Sequence, residues 1–219
     1  MARRKSSRPR CQVCGLHLEL CMCPQIPHRD LSTAFIVVQH NRERNKPTST
    51  GRVAAATLRA PVIYYGAQGE TLDTSALEDP NTDYYVLFPI EGAAEVDAAT
   101  TQPAPGRRRC FVILDGTWHQ CSRMARRAPR IEAMQHMTLP PGAPSRWGVR
   151  TPPNPAALCT YEAATRLVEV LHGVAEAAPM HEFFGELSAR MLGMRGRSPL
   201  SSDASDSSDS DSSDSDPED

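Results

Sequence analysis

An α/β protein with a largely parallel sheet and helices on both faces is what this sequence predicts. Short apolar runs rich in β-branched residues alternate with segments of helical periodicity, the arrangement that crossover helices impose on parallel strands. The most apolar run, Cys110 to Leu114, leads directly into Asp115, Gly116, Thr117 and Trp118. Ligands in open α/β sheets lie just beyond the carboxyl ends of strands, where loops carry the chemistry. With 219 residues and 40% hydrophobic content, the chain suffices for one cored domain plus small appendages.

Residues 1–10 are expected to be a disordered basic arm (Arg3, Arg4, Lys5, Arg8, Arg10), either solvated or in loose contact with phosphates. Residues 11–30 read as a small metal knuckle. Cys11, Cys14, Cys21 and Cys23 place four thiolates within 13 residues, a set that suits tetrahedral Zn2+ with bonds of about 2.3 Å. Gly15 and Pro24 permit the tight turns, and His17 is an alternative ligand. An iron–sulfur cluster and unligated thiols are the competing readings. Four protein ligands would close the coordination sphere, which makes a zinc there structural.

The main domain spans residues 31–197 and opens with a strand from Ala34 to Gln39. The polar loop from His40 to Gly51 is long for a strand-to-helix connection, which favours a functional role. Thr50 is placed to cap a helix over 52–60, which Pro61 ends. Strands follow at Val62–Tyr65 and Tyr84–Phe88, then an Ala/Pro/Gly-rich connection over 90–109. After the strand into Asp115, a helix over 117–128 puts Arg123, Arg126, Arg127 and Arg130 on one stripe. Four like charges repel unless an anion lies alongside, so the stripe reads as a solvated face or an RNA-backbone contact. His136–Leu139 is the last expected strand, followed by a proline-rich loop over 140–157. A helix from Thr160 has Ala164, Leu167, Val168, Leu171 and Val174 as its buried stripe, Pro179 is expected to break it, and a shorter helix covers 181–192. Residues 198–219 form an acidic Ser/Asp tail with almost nothing to bury, which predicts disorder. Its default role is solubility; the sharper reading is competition for the basic surface.

The net charge of −2 conceals an asymmetry. The tail holds eight of the 26 acidic residues and none of the 24 basic ones, so the body carries about +6, a balance that suits a polyanionic partner. No apolar run approaches the roughly 20 residues of a membrane span, and no apolar segment follows the basic N-terminus. The expectation is a protein of the reducing cytoplasm, where seven cysteines argue for thiolates and metal over disulfides. No P-loop or dinucleotide glycine fingerprint points to nucleotide hydrolysis or hydride transfer.

Asp115-Gly116-Thr117-Trp118 has a bland reading as a turn, a helix cap and a core tryptophan. Its surroundings shift the balance. Leu114 to Trp118 resembles the signature of the DTW-domain family. Four other blocks stand in the family's order: Cys11-x-x-Cys14 with Cys21-x-Cys23; Val38-Gln39-His40 through Glu43 to Thr50-Gly51-Arg52; Leu87-Phe88-Pro89; and Ser145 through Arg150 to Thr160-x-Glu162-Ala163. Asn41 stands where the family often has proline, and Ser49 where asparagine is frequent.

The resemblance implies an S-adenosylmethionine (SAM)-dependent transferase that places a 3-amino-3-carboxypropyl (acp) group on N3 of a tRNA uridine and releases methylthioadenosine. It also implies a SPOUT-like fold with a C-terminal trefoil knot. In that reading Leu87, Phe88, Pro89, Gly116, Thr117, Leu139, Ser145, Arg150, Thr160 and Glu162 surround SAM, Arg150 pairing with its carboxylate or with a tRNA phosphate. Asp115 and Trp118 are the catalytic candidates. Uridine N3 is a poor nucleophile while protonated, so a nearby carboxylate serves as base or as orienting acceptor. Trp118 and Trp147 are able to stack on a base, one of the two being structural. His40, Glu43, Thr50, Arg52, Arg123, Arg126, Arg127 and Arg130 are the candidate tRNA contacts. No obligate protein partner is evident, and a monomer or homodimer is expected. A SPOUT-type RNA methyltransferase and a non-catalytic zinc-containing RNA-binding module are the alternatives.

Overall fold

The computed structural model describes residues 8–66 and 72–196. The acidic tail and the arm ahead of Arg8 lie outside the described residues. In chain order the elements are β1 (Ala34–His40), α1 (Gly51–Leu58), β2 (Val62–Tyr65), β3 (Thr82–Leu87), β4 (Ala94–Glu95), β5 (Arg108–Asp115), α2 (Trp118–Arg127), β6 (Gln135–Thr138), α3 (Thr160–His172) and α4 (Val174–Gly193). The strands form one sheet in the order β2-β1-β5-β3-β6-β4, with every neighbouring pair parallel. The predicted α/β class therefore holds, and the sheet is wholly parallel among the described residues.

Alternation along the strands divides the core. Phe35 of β1 with Phe111 and Ile113 of β5 packs under α1, α3 and α4. Ile36, Val38, Val112 and Leu114 face the opposite way, onto Cys121, Met124 and Ala125 of α2. Helix α1 thus leaves β1 on one face towards β2, while α2 leaves β5 on the other face towards β6. The strand order reverses between β1 and β5, which places there the crevice where open α/β sheets hold ligands. Gln39 and Asp115 are register partners there.

Several expectations need correction. Strand β4 lies in the connection read as irregular; two residues are too few for any alternation to show. Helix α3 ends at Gly173, whose φ of 91° breaks the helix, and Val174 begins α4 with 67% of its surface exposed. Pro179 sits inside α4; so near the start it removes only the bond to the Ala175 carbonyl, and buried Met180, Phe183, Phe184 and Leu187 hold the helix down. Arg130 leaves the arginine stripe. Pro129 forces Ala128 into extended geometry (φ −75°, ψ 128°), so α2 stops at Arg127, and Arg130 turns back at φ 69° to donate to the Leu77 carbonyl at 3.2 Å.

The cysteine knuckle is joined to this core through buried Cys14, Leu16, Met22 and Ile26. Arg10, assigned to the arm, belongs to it, pairing with His17 and donating to the Gly15 carbonyl at 2.9 Å. Gly15 has φ of 74°, and a Cβ there would lie 2.1 Å from the Pro47 carbonyl oxygen. The knuckle is thereby pressed against the loop between β1 and α1. Among the described residues no helix is long and apolar enough to cross a membrane.

Candidate active site

Asp115 is the last residue of β5 and is only 3% exposed. Its Oδ2 accepts from Gln39 Nε2 at 2.7 Å and from Ser49 Oγ at 2.7 Å, and its Oδ1 accepts from Thr160 Oγ1 at 2.6 Å. A carboxylate offers about four acceptor positions, so one on Oδ1 remains. The first turns of α1 and α3 converge here. A Cβ on Gly51 would lie 2.3 Å from Asp115 Cγ, and Thr50 Oγ1 accepts from the Tyr161 N–H at 3.2 Å.

Asp115 forms part of the wall of a cavity of about 770 Å³, within the size range of small-molecule sites. Of the residues expected around a cofactor, Leu87, Phe88 and Pro89 after β3, Gly116 and Thr117 after β5, and Leu139 after β6 line it. Ser145, Arg150 and Thr160 line it as well, whereas Glu162 does not. Trp118 also lines the cavity, half-buried and tilted on Phe88 at 5.5 Å. The bland reading of the motif is realised alongside: Thr117 caps α2 in a reciprocal box with Gln120. Trp147 is the more structural tryptophan, 3% exposed and tilted on Phe184 at 5.4 Å. Its Nε1 nevertheless faces no acceptor.

Glu162 is placed elsewhere. It accepts from Ser145 Oγ and from the Arg146 N–H, both at 2.5 Å, and from the Cys159 N–H at 3.1 Å. Both oxygens are thus committed to pinning the proline-rich loop onto the start of α3. Arg150 braces the same loop from its middle. Its Nη2 donates to Glu43 Oε2 at 2.6 Å and to Thr48 Oγ1 at 2.7 Å, with Nε to Thr48 at 2.9 Å. Glu43 is fully buried between Lys46 and Arg150. Burial works to raise its pKa, but the hydrogen bonds from those two cations outweigh that and hold it below the usual value.

The candidate RNA residues divide into three groups. Thr50 reaches the cavity wall. His40 and Arg52 shape the loop: the His40 ring accepts from the Arg42 N–H, and Arg52 donates to the carbonyls of Arg44 and Lys46. Burial, reinforced by Arg42, lowers the His40 pKa. Arg123, Arg126 and Arg127 are exposed on α2, away from the cavity lining. The sequence motifs include Gln39, Ser49 and Gly51 without giving them a role at the site, and they do not include Arg166. Gln39 looked like the end of an apolar strand, and the pairing with Asp115 exists only through strand register.

The sulfurs of Cys11, Cys14, Cys21 and Cys23 all lie within 4.8 Å of one another, with Cys11–Cys23 at 3.4 Å and Cys14–Cys21 at 3.8 Å. Tetrahedral zinc with bonds of about 2.3 Å needs sulfurs about 3.8 Å apart, so the cluster fits that ion. Burial opposes charge at Cys11, but the backbone N–H groups of Cys14 and Val13 and the Cys23 thiol bring it to about 7. His17 is not part of the cluster.

Fold and site together describe a parallel α/β domain with a ligand cavity at the switch point and an appended cysteine centre. The DTW-domain profile matches residues 8–192, and the chain belongs to that family. The protein named tRNA-uridine aminocarboxypropyltransferase 2 from Drosophila melanogaster is 24% identical over 173 residues, covering 75% of this chain and 67% of that protein. Proteins of the same name from Macaca fascicularis and Mus musculus are each 25% identical, over 170 and 172 residues. The chain spans 57% of the length of these two relatives. No solved structure matches this chain.

Proposed function

We propose that this protein transfers the acp group of SAM to N3 of a uridine in tRNA. The observation that carries the reading is Asp115: a buried carboxylate on the cavity wall, held by three neutral donors, with one acceptor position left. The names of the relatives supply the reaction class. In the transfer, a bond forms between N3 and the side-chain carbon next to sulfur. The bond from that carbon to sulfur breaks, the N3 proton leaves, and the sulfonium becomes the neutral thioether of methylthioadenosine.

The apolar wall from Leu87, Phe88 and Leu139 suits an adenine and a thioether. Asp115 accepts the N3–H, which orients the uracil, and takes the proton as N3 bonds to carbon, its carboxylate becoming the neutral acid. Trp118, beside it and half-exposed, offers a face for stacking. Gln39, Ser49 and Thr160 keep the carboxylate from rotating away, the preorganisation on which positional catalysis rests. Ser145, Glu162 and Arg150 act by holding the proline-rich wall. Arg123, Arg126 and Arg127 on α2, with His40 and Arg52 of the loop between β1 and α1, form the surface for the tRNA backbone. Cys11, Cys14, Cys21 and Cys23 hold structural zinc, whose role is to keep the knuckle pressed on Pro47.

The test uses SAM labelled in its carboxyl carbon, purified protein and unmodified tRNA. Label recovered in a modified uridine is the expected result. Incorporation of methyl label alone would make the protein a methyltransferase, and tRNA binding with neither label would reduce it to a binding module. For the metal, the expected result is about one zinc per chain by elemental analysis; chelation should release it, weaken SAM binding and lower the melting temperature.

A further inference from the structure

The charged side chains on the cavity wall differ in how they are compensated. Asp115 has three donors. Arg150 is paired with Glu43 and Thr48. Arg166, near the middle of α3, lines the same cavity and is half-buried, yet among the described residues it makes no hydrogen bond or ion pair. Its guanidinium lies under the proline-rich loop, where a Cβ on Gly142 would sit 3.0 Å from Nη1 and 3.2 Å from Cζ. A half-buried guanidinium without a partner has lost hydration and gained nothing in return. A planar fork in that position is complementary to a carboxylate, which it binds through two parallel hydrogen bonds.

A second donor without a partner belongs to a residue of the same cavity lining. Trp147 Nε1 is a buried donor with no acceptor, and Trp147 lines the cavity. Building on the reading of the protein as an acp transferase, we propose that Arg166 grips the α-carboxylate of the donor's amino-acid arm and thereby determines which carbon–sulfur bond is presented to the nucleophile. Arg150, already committed to Glu43, is left to its bracing role. With the carboxylate held at α3 and the uracil held at the end of β5, the transferred chain must span the interval between them. A donor free to swing its amino-acid arm would lose that selection.

Ligand pairs that differ only in this arm test the assignment. SAM and S-adenosylhomocysteine carry it; methylthioadenosine lacks it. Calorimetric titration of wild-type protein and Arg166→Gln with all three should show SAM and S-adenosylhomocysteine weakened roughly 10- to 100-fold, the range of a lost charge-assisted hydrogen bond. Methylthioadenosine should be unchanged, which also demonstrates an intact pocket. Arg166→Lys keeps the charge and loses the fork, so it should recover only part of the affinity. Equal binding of SAM by wild type and Arg166→Gln would overturn the proposal, as would a parallel loss for methylthioadenosine. A variant with unchanged SAM affinity but weaker tRNA binding, and a salt slope reduced by about one, would place the guanidinium on a phosphate instead. Failure of the wild type itself to bind SAM would count against the transferase reading, a result distinct from any of these.

Discussion

The same face of β5 carries a buried charge at each end, and only one of them faces a cavity. At the start of the strand Arg109 donates to Thr33 Oγ1 at 2.8 and 3.0 Å, to Thr101 Oγ1 at 3.1 Å and to the Ala98 carbonyl at 3.4 Å. At the end of the strand Asp115 accepts from Gln39, Ser49 and Thr160. Both groups are held by neutral partners on neighbouring elements. Arg109 serves to fasten the segment after β4 and the entrance to β1 to the sheet. Asp115 has the same rigidity, an acceptor position left over, and a cavity in front of it. Burial of a charge therefore marks a fastening; burial with unused hydrogen-bonding capacity towards open space marks a site.

Substituting each charge should separate the two roles, and the largest effect belongs to Asp115→Asn. Asparagine keeps the shape, one acceptor and a donor for Thr160 Oγ1, so folding and SAM affinity should hold. Acp transfer should fall by roughly 10²- to 10⁴-fold, the span for a lost acid–base group. Full turnover in this variant would reduce Asp115 to a second fastening. Gly51→Ala attacks the same end from behind. Its methyl would sit 2.3 Å from Asp115 Cγ and 2.5 Å from Oδ2, so the carboxylate or α1 must shift. We expect about 1–3 kcal/mol of destabilisation, as for overpacking generally, together with at least roughly tenfold slower transfer at saturating SAM, since small misplacements are costly in catalysis. Arg109→Met should do the reverse: about 1–2 kcal/mol off the unfolding free energy, from acceptors left without a donor, and unchanged turnover per folded molecule. Denaturant melts paired with the transfer assay read both quantities.

The two ends also differ in how visible they were in the sequence. The Asp115 end was legible because strand, turn, cap and indole are contiguous, whereas Leu87–Pro89 and Leu139 were placed at the cavity only by the family resemblance. Gln39 and Ser49 were not legible, since their bonds to Asp115 span 76 and 66 residues and depend on register and loop path. Arg166 reads in sequence as an ordinary polar position on an amphipathic helix; its isolation on a cavity wall is a tertiary property. Glu162 misled for a related reason. A carboxylate three residues after a capping position satisfies local backbone donors first, and here that local duty, with the Ser145 hydroxyl, occupies both oxygens. The break between α3 and α4 went to Pro179 because proline is the stronger breaker in general, although Gly173 alone adopts a φ that no helix tolerates.

The smallest effect lies at the Arg109 end and concerns pH. Thr33 Oγ1 accepts from Arg109, a donor in every state, so its own hydrogen is available to His172 Nε2 at 3.0 Å. That arrangement needs a neutral imidazole with its proton on Nδ1. Burial lowers the His172 pKa from its usual 6.5, Arg109 lowers it further, and Glu176 opposes both. A histidine depressed in the folded state binds its proton more readily when unfolded, so stability is full above about 6.5 and is lost as pH falls from there through the folded value. His40 and His136 are depressed as well, chiefly by burial, so the melting temperature of the wild type should decline between pH 6.5 and 5 with contributions from all three. His172→Gln keeps an acceptor for Thr33 and removes one titration; it should make that decline shallower by one proton's share while leaving acp transfer at pH 8 unchanged. An identical slope in the variant would mean that His172 is protonated alike in both states, and that the cation at the start of β5 exerts no hold on its neighbours beyond the hydrogen bonds it donates.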